Sequence, residues 1–445
     1  MTEIPKKILI QTYGCQMNVY DTEIMKRLLD PSGYKFVTSA KEADIILVNT
    51  CAIRAKAEQK VFSYLGRLAL MKQNRPELLI GVCGCIAQND QKKIIERAPF
   101  VNFVVGTHAM FNLPSILSNI FNSYGFQKVF ADFTDNLSEI DHQQFPVLSS
   151  QISAFVTIMR GCNNYCAYCV VPYVRGPEIS RPPESIIEEI KQKVSLGMRE
   201  VTLLGQNVNS YGKREGMVSF VQLLERINEI EGLLRIRFTT SHPKDFDKGL
   251  IDAFSRLDKL CAHIHLPVQS GSDQILKRMN RKYTRQDYLN KIDLLKQSIS
   301  DISISSDFIV GFPGETREDF ESSLSLIQAI EYDSLFAFQY SDREIAPSSK
   351  YHPKVDEKVK RERLMELLDI QKENTNHRSN RYIGKTCQVL VEGRSKRDPS
   401  QWTGRTSGNK IVNFIGPENT SDLRASLVNV NIEEACAHSL RGRLL

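Results

Sequence analysis

Three cysteines stand in one short stretch, Arg160-Gly161-Cys162-Asn163-Asn164-Tyr165-Cys166-Ala167-Tyr168-Cys169, at the spacing C-x3-C-x2-C. Thiolates are the ligands that iron–sulfur clusters use, normally four to a four-iron cluster. Three in one loop with no fourth nearby imply a cluster with one iron left open. An open iron can bind a substrate or cofactor, so the loop marks chemistry more than electron storage. The triplet could also hold zinc with a fourth ligand from elsewhere, or form a redox switch. Structural zinc usually pairs two C-x2–4-C halves or adds C-x2-C to histidines, and no partner at such spacing is present.

A second set is spread along the first part of the chain. Cys15, Cys51 and Cys85 each lie just past an expected strand, in Tyr13-Gly14-Cys15, Asn49-Thr50-Cys51 and Gly84-Cys85. Parallel strands end on one edge of their sheet, and ligands bind outside those carboxyl ends. Residues distant in sequence are thereby brought to one rim, with Gly14 and Gly84 allowing tight turns. A second three-thiolate site follows from that placement. The alternative is three unrelated buried cysteines, since free Cys is often a small core hydrophobe. Cys83 competes with Cys85 for the third place, but it lies inside the apolar run whereas Cys85 is at its exit; Cys85 is the expected ligand. Cys261, Cys387 and Cys436 are isolated and read as structural.

The elements that must position these residues are α/β. Strands are expected at Ile8–Tyr13, Asp44–Asn49, Leu78–Val82 and Phe103–Val105, with helices at Asp21–Leu29, near Ala55–Met71 and near Gln91–Arg97. Such alternation implies right-handed crossovers and a parallel sheet with helices on both faces. Residues from about Asn122 to Ser150, Pro146 among them, break the rhythm and read as a linker. Six strand–helix units follow, with strands at Ala154–Met159, Glu200–Leu204, Leu234–Thr239, His263–Pro267, Ile302–Val310 and Leu335–Tyr340, open or closed into a partial barrel. A charged helix near Glu357–Lys372 leads out. From about Arg381 short strands at Cys387–Val391, Lys410–Phe414 and Ser426–Val430 suit only a small all-β barrel.

Composition sets the context. At 445 residues the chain expects two to four domains. It has 41% hydrophobic and 25% charged residues, and no apolar run long enough to span a bilayer. With no hydrophobic signal core at Met1–Lys7, a cytoplasmic location is expected. Ten cysteines there are unlikely to pair as disulfides, because the compartment keeps thiols reduced. A formal charge of +6 permits a polyanionic partner without demanding one.

Further motifs carry less. Leu204-Gly205-Gln206-Asn207-Val208-Asn209 ends a strand; Gly205 would admit a ligand to the backbone, and Gln206 and Asn207 can hydrogen-bond an amino-acid moiety, though an ordinary polar turn reads the same way. The Gly-rich exit Phe308–Thr316 lacks the Lys of a phosphate-cradling loop, and no G-x4-G-K-[ST] occurs, so ATP or GTP hydrolysis is not expected. The histidines show no H-E-x-x-H pattern, and His263 and His265 read as lining residues. Trp402, Arg405 and Lys410, with Arg394, Lys396 and Arg397, make the last barrel basic with one aromatic. Small barrels of this kind bind single-stranded or looped nucleic acid, although a solvated basic face fits these residues equally.

The cysteine loop at the end of a first barrel strand resembles the radical S-adenosylmethionine (SAM) superfamily. The whole chain is similar to the radical SAM methylthiotransferase family, and Gly14-Cys15-Gln16-Met17-Asn18, Asn49-Thr50-Cys51 and Gly205-Gln206-Asn207-Val208-Asn209-Ser210-Tyr211 resemble its MiaB branch. The resemblance implies three domains: an amino-terminal α/β domain at 6–122, a radical SAM partial (β/α) barrel at 148–380 and a TRAM barrel at 381–445. It implies two 4Fe-4S clusters, one on Cys162, Cys166 and Cys169 that binds SAM and an auxiliary one on Cys15, Cys51 and Cys85, with Gly205, Gln206 and Asn207 orienting SAM. The implied reaction methylthiolates C2 of N6-isopentenyladenosine at position 37 of tRNA. A 5′-deoxyadenosyl radical abstracts the C2 hydrogen, the auxiliary site delivers the sulfur and a second SAM donates the methyl group. The implied partners are the tRNA anticodon stem-loop, held by the TRAM barrel, and a reductant such as flavodoxin or ferredoxin, with the enzyme a monomer and no membrane involved.

Two departures from the family pattern stand out. Ser341-Asp342-Arg343-Glu344-Ile345-Ala346-Pro347 replaces a segment usually like Arg-Pro-Gly-Thr-Pro, and Cys83 stands where a non-cysteine is common. Methylthiolation of a ribosomal protein or of threonylcarbamoyl-adenosine in tRNA is the alternative within the family. A non-catalytic electron-transfer protein is the alternative outside it, but would supply eight local cysteine ligands for two four-iron clusters.

Overall fold

The computed structural model describes residues 6–52, 55–121, 128–133, 147, 151–416 and 422–445. They fall into two compact units, one drawn from 1–148, 159–165 and 169–185 and the other from 149–158, 166–168 and 186–445.

The first unit is built on a six-stranded sheet in the order β2-β1-β3-β4-β5-β6. Its strands are β1 (Lys7–Tyr13), β2 (Lys35–Phe36), β3 (Ile45–Thr50), β4 (Leu79–Gly84), β5 (Phe103–Val105) and β6 (Lys128–Phe130), all paired in parallel. Every residue of β3, Ile-Ile-Leu-Val-Asn-Thr, is buried, as expected of a central parallel strand covered on both faces. Helices α1 (Gln16–Leu29), α2 (Ala55–Asn74), α3 (Cys85–Arg97) and α4 (Leu113–Phe121) alternate with the strands.

Several boundaries differ from the sequence expectation; α3 begins at Cys85 rather than near Gln91, and the strand expected at Ala154–Met159 ends at Thr157. Helix α1 starts five residues before the predicted Asp21, directly after Cys15, because Asn18 takes over the cap: its Oδ1 accepts from Cys15 N and Sγ, each at 3.3 Å. Cysteine is not among the usual capping residues, so the start carries no familiar signal. Inside the segment read as a linker, Lys128–Phe130 extends the sheet alongside β5. The rest of that segment (122–127, 134–146 and 148–150, with Pro146) lies outside the described residues.

The second unit holds six parallel strands in two sheets, β11-β10-β7 and β12-β13-β14. These are β7 (Ser153–Thr157), β10 (Glu200–Leu204), β11 (Arg235–Thr239), β12 (His263–His265), β13 (Ser303–Val310) and β14 (Ser334–Gln339), and a parallel bridge between Ile236 and Leu260 lies between the two sheets. The short pair β8 (Met159–Arg160) and β9 (Ile179–Ser180) belongs to the first unit. The outgoing charged helix runs to Asn380, as Glu357–Asn380. The Gly-rich exit at Gly311–Thr316 is structural. The buried Glu315 carboxylate accepts from Gly311 N at 2.8 Å and from Arg363 Nη1 at 2.6 Å.

The carboxy-terminal strands close a barrel, β15-β16-β17-β19-β18, from Thr386–Arg394, Trp402–Thr406, Ile411–Ile415, Leu440–Leu444 and Leu427–Ala435 respectively. The sequence reading missed β16 and β19, whose runs Trp-Thr-Gly-Arg-Thr and Leu-Arg-Gly-Arg-Leu place glycine where strand propensity is low. Gly404 has a reason to be there: a Cβ would collide with the Leu390 carbonyl of the neighbouring strand. Trp402 lies in the barrel core with Val389, Val412, Phe414 and Val430, so it offers no stacking face. Arg405 pairs with Glu392 at 3.1 Å and Lys410 reaches Asp333 at 3.5 Å, which leaves Arg394, Lys396 and Arg397 as the exposed part of the predicted basic face.

Two arginines of β11 tie this barrel to the strands. Arg235 donates to the Arg405 and Gln388 carbonyls at 2.5 and 3.0 Å. Arg237 donates to the Thr406 and Ser407 carbonyls at 2.8 Å each and pairs with buried Glu200 at 2.9 Å. Among the described residues no helix is long and apolar enough to cross a membrane. Arg237→Leu strands Glu200 and two carbonyls, and removing one partner of a buried pair costs about 3–5 kcal/mol. Denaturant unfolding should show a loss of that order; a loss within error would mean the arginine does not hold the barrel.

Candidate functional site

The first site grows out of sheet register. Tyr13 pairs with Thr50 and Thr50 with Gly84, so β1, β3 and β4 end side by side. Cys15, Cys51 and Cys85 follow those three ends, within one or two residues each. Gly84 turns the chain at φ +91°, where a Cβ would lie 2.5 Å from both Asn49 Oδ1 and the Thr50 carbonyl. Side chains lock the turns. Asn18 Nδ2 donates to the Thr50 carbonyl at 2.9 Å and to Asn49 Oδ1 at 3.2 Å, and Asn49 Nδ2 donates back to the Asn18 carbonyl at 2.8 Å. Thr50 Oγ1 donates to the Cys83 carbonyl at 2.5 Å.

The thiols differ in character. Cys15 is pulled down from the ordinary thiol value to about 6, first by its hydrogen bond with Cys51 and then by the Arg175 charge, against its burial. Cys85 is pushed up by burial, with the Arg175 guanidinium opposing. Cys83 is pushed up to about 12 by burial alone, as befits an inert core thiol. Cys15 and Cys51 therefore touch, Cys85 shares a charge partner with Cys15, and Cys83 stands apart.

That charge partner belongs to a buried network. Asp21, on α1, accepts from Arg175 Nη2 at 2.6 Å and from Arg160 Nη1 at 3.2 Å. Arg175 Nε donates to Cys85 Sγ at 3.3 Å, and its Nη1 is buried without a hydrogen-bond partner among the described residues. Arg160 and Arg175 flank the cysteine loop in sequence, one on each side. Sequence reasoning found none of the three, since their partnership is set by tertiary placement; charged residues bracketing a cysteine loop were the signal available.

In the loop itself, Cys162 and Cys169 belong to the first unit and Cys166 to the second. On the first side Cys162 N donates to the Gly176 carbonyl at 3.2 Å and Val171 N donates to Cys169 Sγ at 3.4 Å. On the second, Cys166 Sγ lies 3.4 Å from Arg281 Nη1 and 3.7 Å from His242 Nε2. His242 is held neutral, well below the usual histidine range, by burial and then by the Arg281 charge. Its Nδ1 accepts from Lys244 N at 3.2 Å, which assigns the ring proton to Nε2, facing the sulfur. Arg281 and His242 were also missed; each stands far from the cysteines in sequence.

Of the residues expected to hold a cofactor's amino-acid group, Gly205 spends both backbone groups on the β11 end, pairing with Thr239 O and Thr240 N at 3.1 Å each. The Asn207 side chain is committed: Nδ2 donates to Asp245 Oδ2 at 2.8 Å and Oδ1 accepts from His242 N at 3.2 Å. Gln206 keeps a buried Oε1 without a hydrogen-bond partner among the described residues. His265 lies against Ser305 and Asp307, at 3.0 and 3.5 Å.

Among the described residues no three His, Cys, Asp or Glu side chains close on a point as ligands of a single ion would. A cluster makes a different demand, because each thiolate binds its own iron and the inorganic core stands between them. Three thiols on registered strand ends, beside a buried guanidinium with an unused N–H, suit an anionic sulfur core.

Three family models match separate parts of the chain. Residues 7–106 match the Uncharacterized protein family UPF0004, residues 156–327 the Radical SAM superfamily and residues 380–445 the TRAM domain. A protein of Desulfosudis oleivorans named tRNA-2-methylthio-N(6)-dimethylallyladenosine synthase is 49% identical over 98% of this chain and 96% of its own length. A protein of the same name from Syntrophus aciditrophicus is 49% identical over 99% and 95%. Among solved structures, the radical S-adenosylmethionine methyltransferase TsrM from Kitasatospora setae, with cobalamin and a [4Fe-4S] cluster bound, has a TM-score of 0.56 at 11% identity. It matches over 78% of this chain and 74% of its own, a likeness of fold.

Gly14 gives a geometric test of the strand-end site. A Cβ there would meet the Asn18 side chain and lie 2.8 Å from Cys51 Cβ. Gly14→Ala should force Cys15 and Cys51 apart and, if this rim holds a four-iron cluster, lower the iron bound after anaerobic reconstitution by about four per chain. Undiminished iron would show that the close approach of Cys15 and Cys51 at Gly14 is not what holds iron at this rim.

Proposed function

The chain belongs to the tRNA-2-methylthio-N(6)-dimethylallyladenosine synthase family, and we propose that its cysteines divide that family's reaction between two sites, one for the radical and one for the sulfur. The protein is a radical SAM tRNA methylthiotransferase that uses a 4Fe-4S cluster and SAM. It adds a methylthio group to C2 of N6-isopentenyladenosine at position 37. The alternatives of another tRNA base, a ribosomal protein or plain electron transfer are not favoured by relatives alike over nearly the whole chain.

Cys162, Cys166 and Cys169 would hold the SAM cluster, which when bound would supply the electron for reductive cleavage of SAM. Around it the chain's own residues do three things. The Arg281 guanidinium and the His242 Nε2–H face Cys166 Sγ, so that a ligating sulfur there is met by donors. Gln206 Oε1 is a buried acceptor with capacity to spare, fit for the ammonium of an amino-acid group. Asn207 acts one step back, fixing His242 and Asp245 through its amide; Gly205 holds the strand end in place.

Cys15, Cys51 and Cys85 hold the auxiliary cluster. The observation that carries this reading is the register Tyr13–Thr50–Gly84, which sets three cysteines from separate strands on one edge. Cys83 remains a core thiol. An external one-electron donor such as flavodoxin or ferredoxin is required by the electron balance of SAM cleavage. The TRAM barrel contacts the tRNA through its exposed Arg394, Lys396 and Arg397 edge.

Replacing Cys162, Cys166 and Cys169 by Ala should leave about half of about eight reconstituted irons and abolish 5′-deoxyadenosine formation. In cells lacking the gene, mass spectrometry of tRNA nucleosides should show the isopentenyl group retained and the 2-methylthio group absent. Iron unchanged by the triple substitution, or an unaltered nucleoside profile, would refute the assignment. For the tRNA face, Lys396→Glu with Arg397→Glu should weaken tRNA binding and reduce the salt slope by about one for each phosphate the barrel no longer engages. An unchanged slope would place the tRNA elsewhere.

A further inference from the structure

The cysteine motifs do not announce Arg175, and its surroundings are unusual for a structural arginine. The side chain is 4% exposed and its planar fork points three ways. Nη2 donates to Asp21 Oδ2 at 2.6 Å and Nε to Cys85 Sγ at 3.3 Å, while Nη1 is buried with no acceptor among the described residues. An unsatisfied buried donor costs free energy, more so on a charged group, and so calls for an explanation. The charge balance calls for the same one. Asp21 is a single carboxylate shared between Arg160 and Arg175, so its charge does not neutralise Arg175 alone. Burying a guanidinium that is only partly neutralised is unfavourable unless an anion meets it.

Resting on the reading of Cys15, Cys51 and Cys85 as cluster ligands, we propose that Arg175 is the positioning and charge-setting residue of the auxiliary cluster. Its Nε–H engages the Cys85 thiolate and its free Nη1–H is reserved for a sulfide of the inorganic core. Asp21 holds the guanidinium in that orientation, and the second arginine on Asp21 keeps the carboxylate from cancelling the charge. Hydrogen bonds to sulfur and the net charge nearby are among the terms that set a cluster's reduction potential. A buried cation favours the more negative, reduced form, so Arg175 raises the potential and its removal lowers it.

The test uses the full-length chain with Cys162, Cys166 and Cys169 replaced by Ala, so that only the auxiliary cluster remains. The parent, Arg175→Met and Arg175→Lys are reconstituted anaerobically; iron is counted and the potential is read by a redox titration followed by electron paramagnetic resonance. Arg175→Met removes the charge and both sulfur-facing donors at similar volume. It should retain its iron and shift the reduction equilibrium at least tenfold toward the oxidised form, about 59 mV for one electron. Arg175→Lys keeps the charge without the fork and should recover part of that shift. An unshifted potential with iron retained overturns the proposal. If Arg175→Met holds no iron, the lysine variant decides: iron with a lowered potential upholds the proposal and iron with the parent's potential overturns it. A parent without iron overturns the auxiliary-cluster reading itself, and this proposal with it.

Discussion

A carboxylate with two guanidiniums is the constraint around which the first unit is arranged. Asp21 stands on the first helix after Cys15, and its partners Arg160 and Arg175 lie on either side of the loop that carries Cys162 and Cys169. All three are nearly inaccessible to water. Ions buried to that degree are costly unless paired and hydrogen-bonded, so the strands and loops that bear them must meet in one way. The pairing therefore fixes more than stability. It ties the segment with Cys162 and Cys169 to the helix that begins just after Cys15, and it sets a partly neutralised guanidinium beside the Cys85 thiol.

Backbone geometry supplies the other half of the arrangement. Parallel pairing of β1, β3 and β4 aligns three strand ends, and a slip of one residue in any of them would carry its cysteine out of line. The Asn18–Asn49 exchange resists such a slip, since each amide reaches the other turn's backbone or side chain. The same Asn18 caps α1 in place of a conventional cap. One asparagine thus sets the helix start, the turn after β3 and the orientation of Cys15.

The same geometry explains what could be read from residue order and what could not. Alternating apolar runs marked the strands, and a cysteine at the end of three such runs was enough to place three thiols on one rim. The helix start after Cys15 was hidden because the capping group is a cysteine backed by an asparagine. Strands β16 and β19 were hidden because close approach of neighbouring backbones requires glycine in them, and glycine argues against a strand in isolation. Trp402 looked like a stacking platform and is instead the largest member of the barrel core, with Arg394 lying over its ring at 3.8 Å. Arg175, Arg281 and His242 left no local trace, because a charged or ring donor to sulfur is recognisable only once distant segments are folded together.

The two sets of cysteines meet arginine in different ways. Arg175 gives Cys85 one N–H and Asp21 another, so a fixed carboxylate shares its charge. Arg281 gives Cys166 one N–H, and its other hydrogen-bond partners among the described residues are neutral: the Tyr283 and Tyr168 hydroxyls and the Pro267 carbonyl. No carboxylate stands among those partners, and the neighbouring His242 is kept neutral. The cation facing Cys166 is therefore undivided, whereas at Cys85 the charge is shared with Asp21. Such a difference suits two sites with different work. On the reading proposed above, the loop site would hold the cluster that binds SAM, where attraction for negative charge is an advantage. On the same reading, the strand-end site would hold the auxiliary cluster, where a shared charge leaves the guanidinium less free to draw in a further anion.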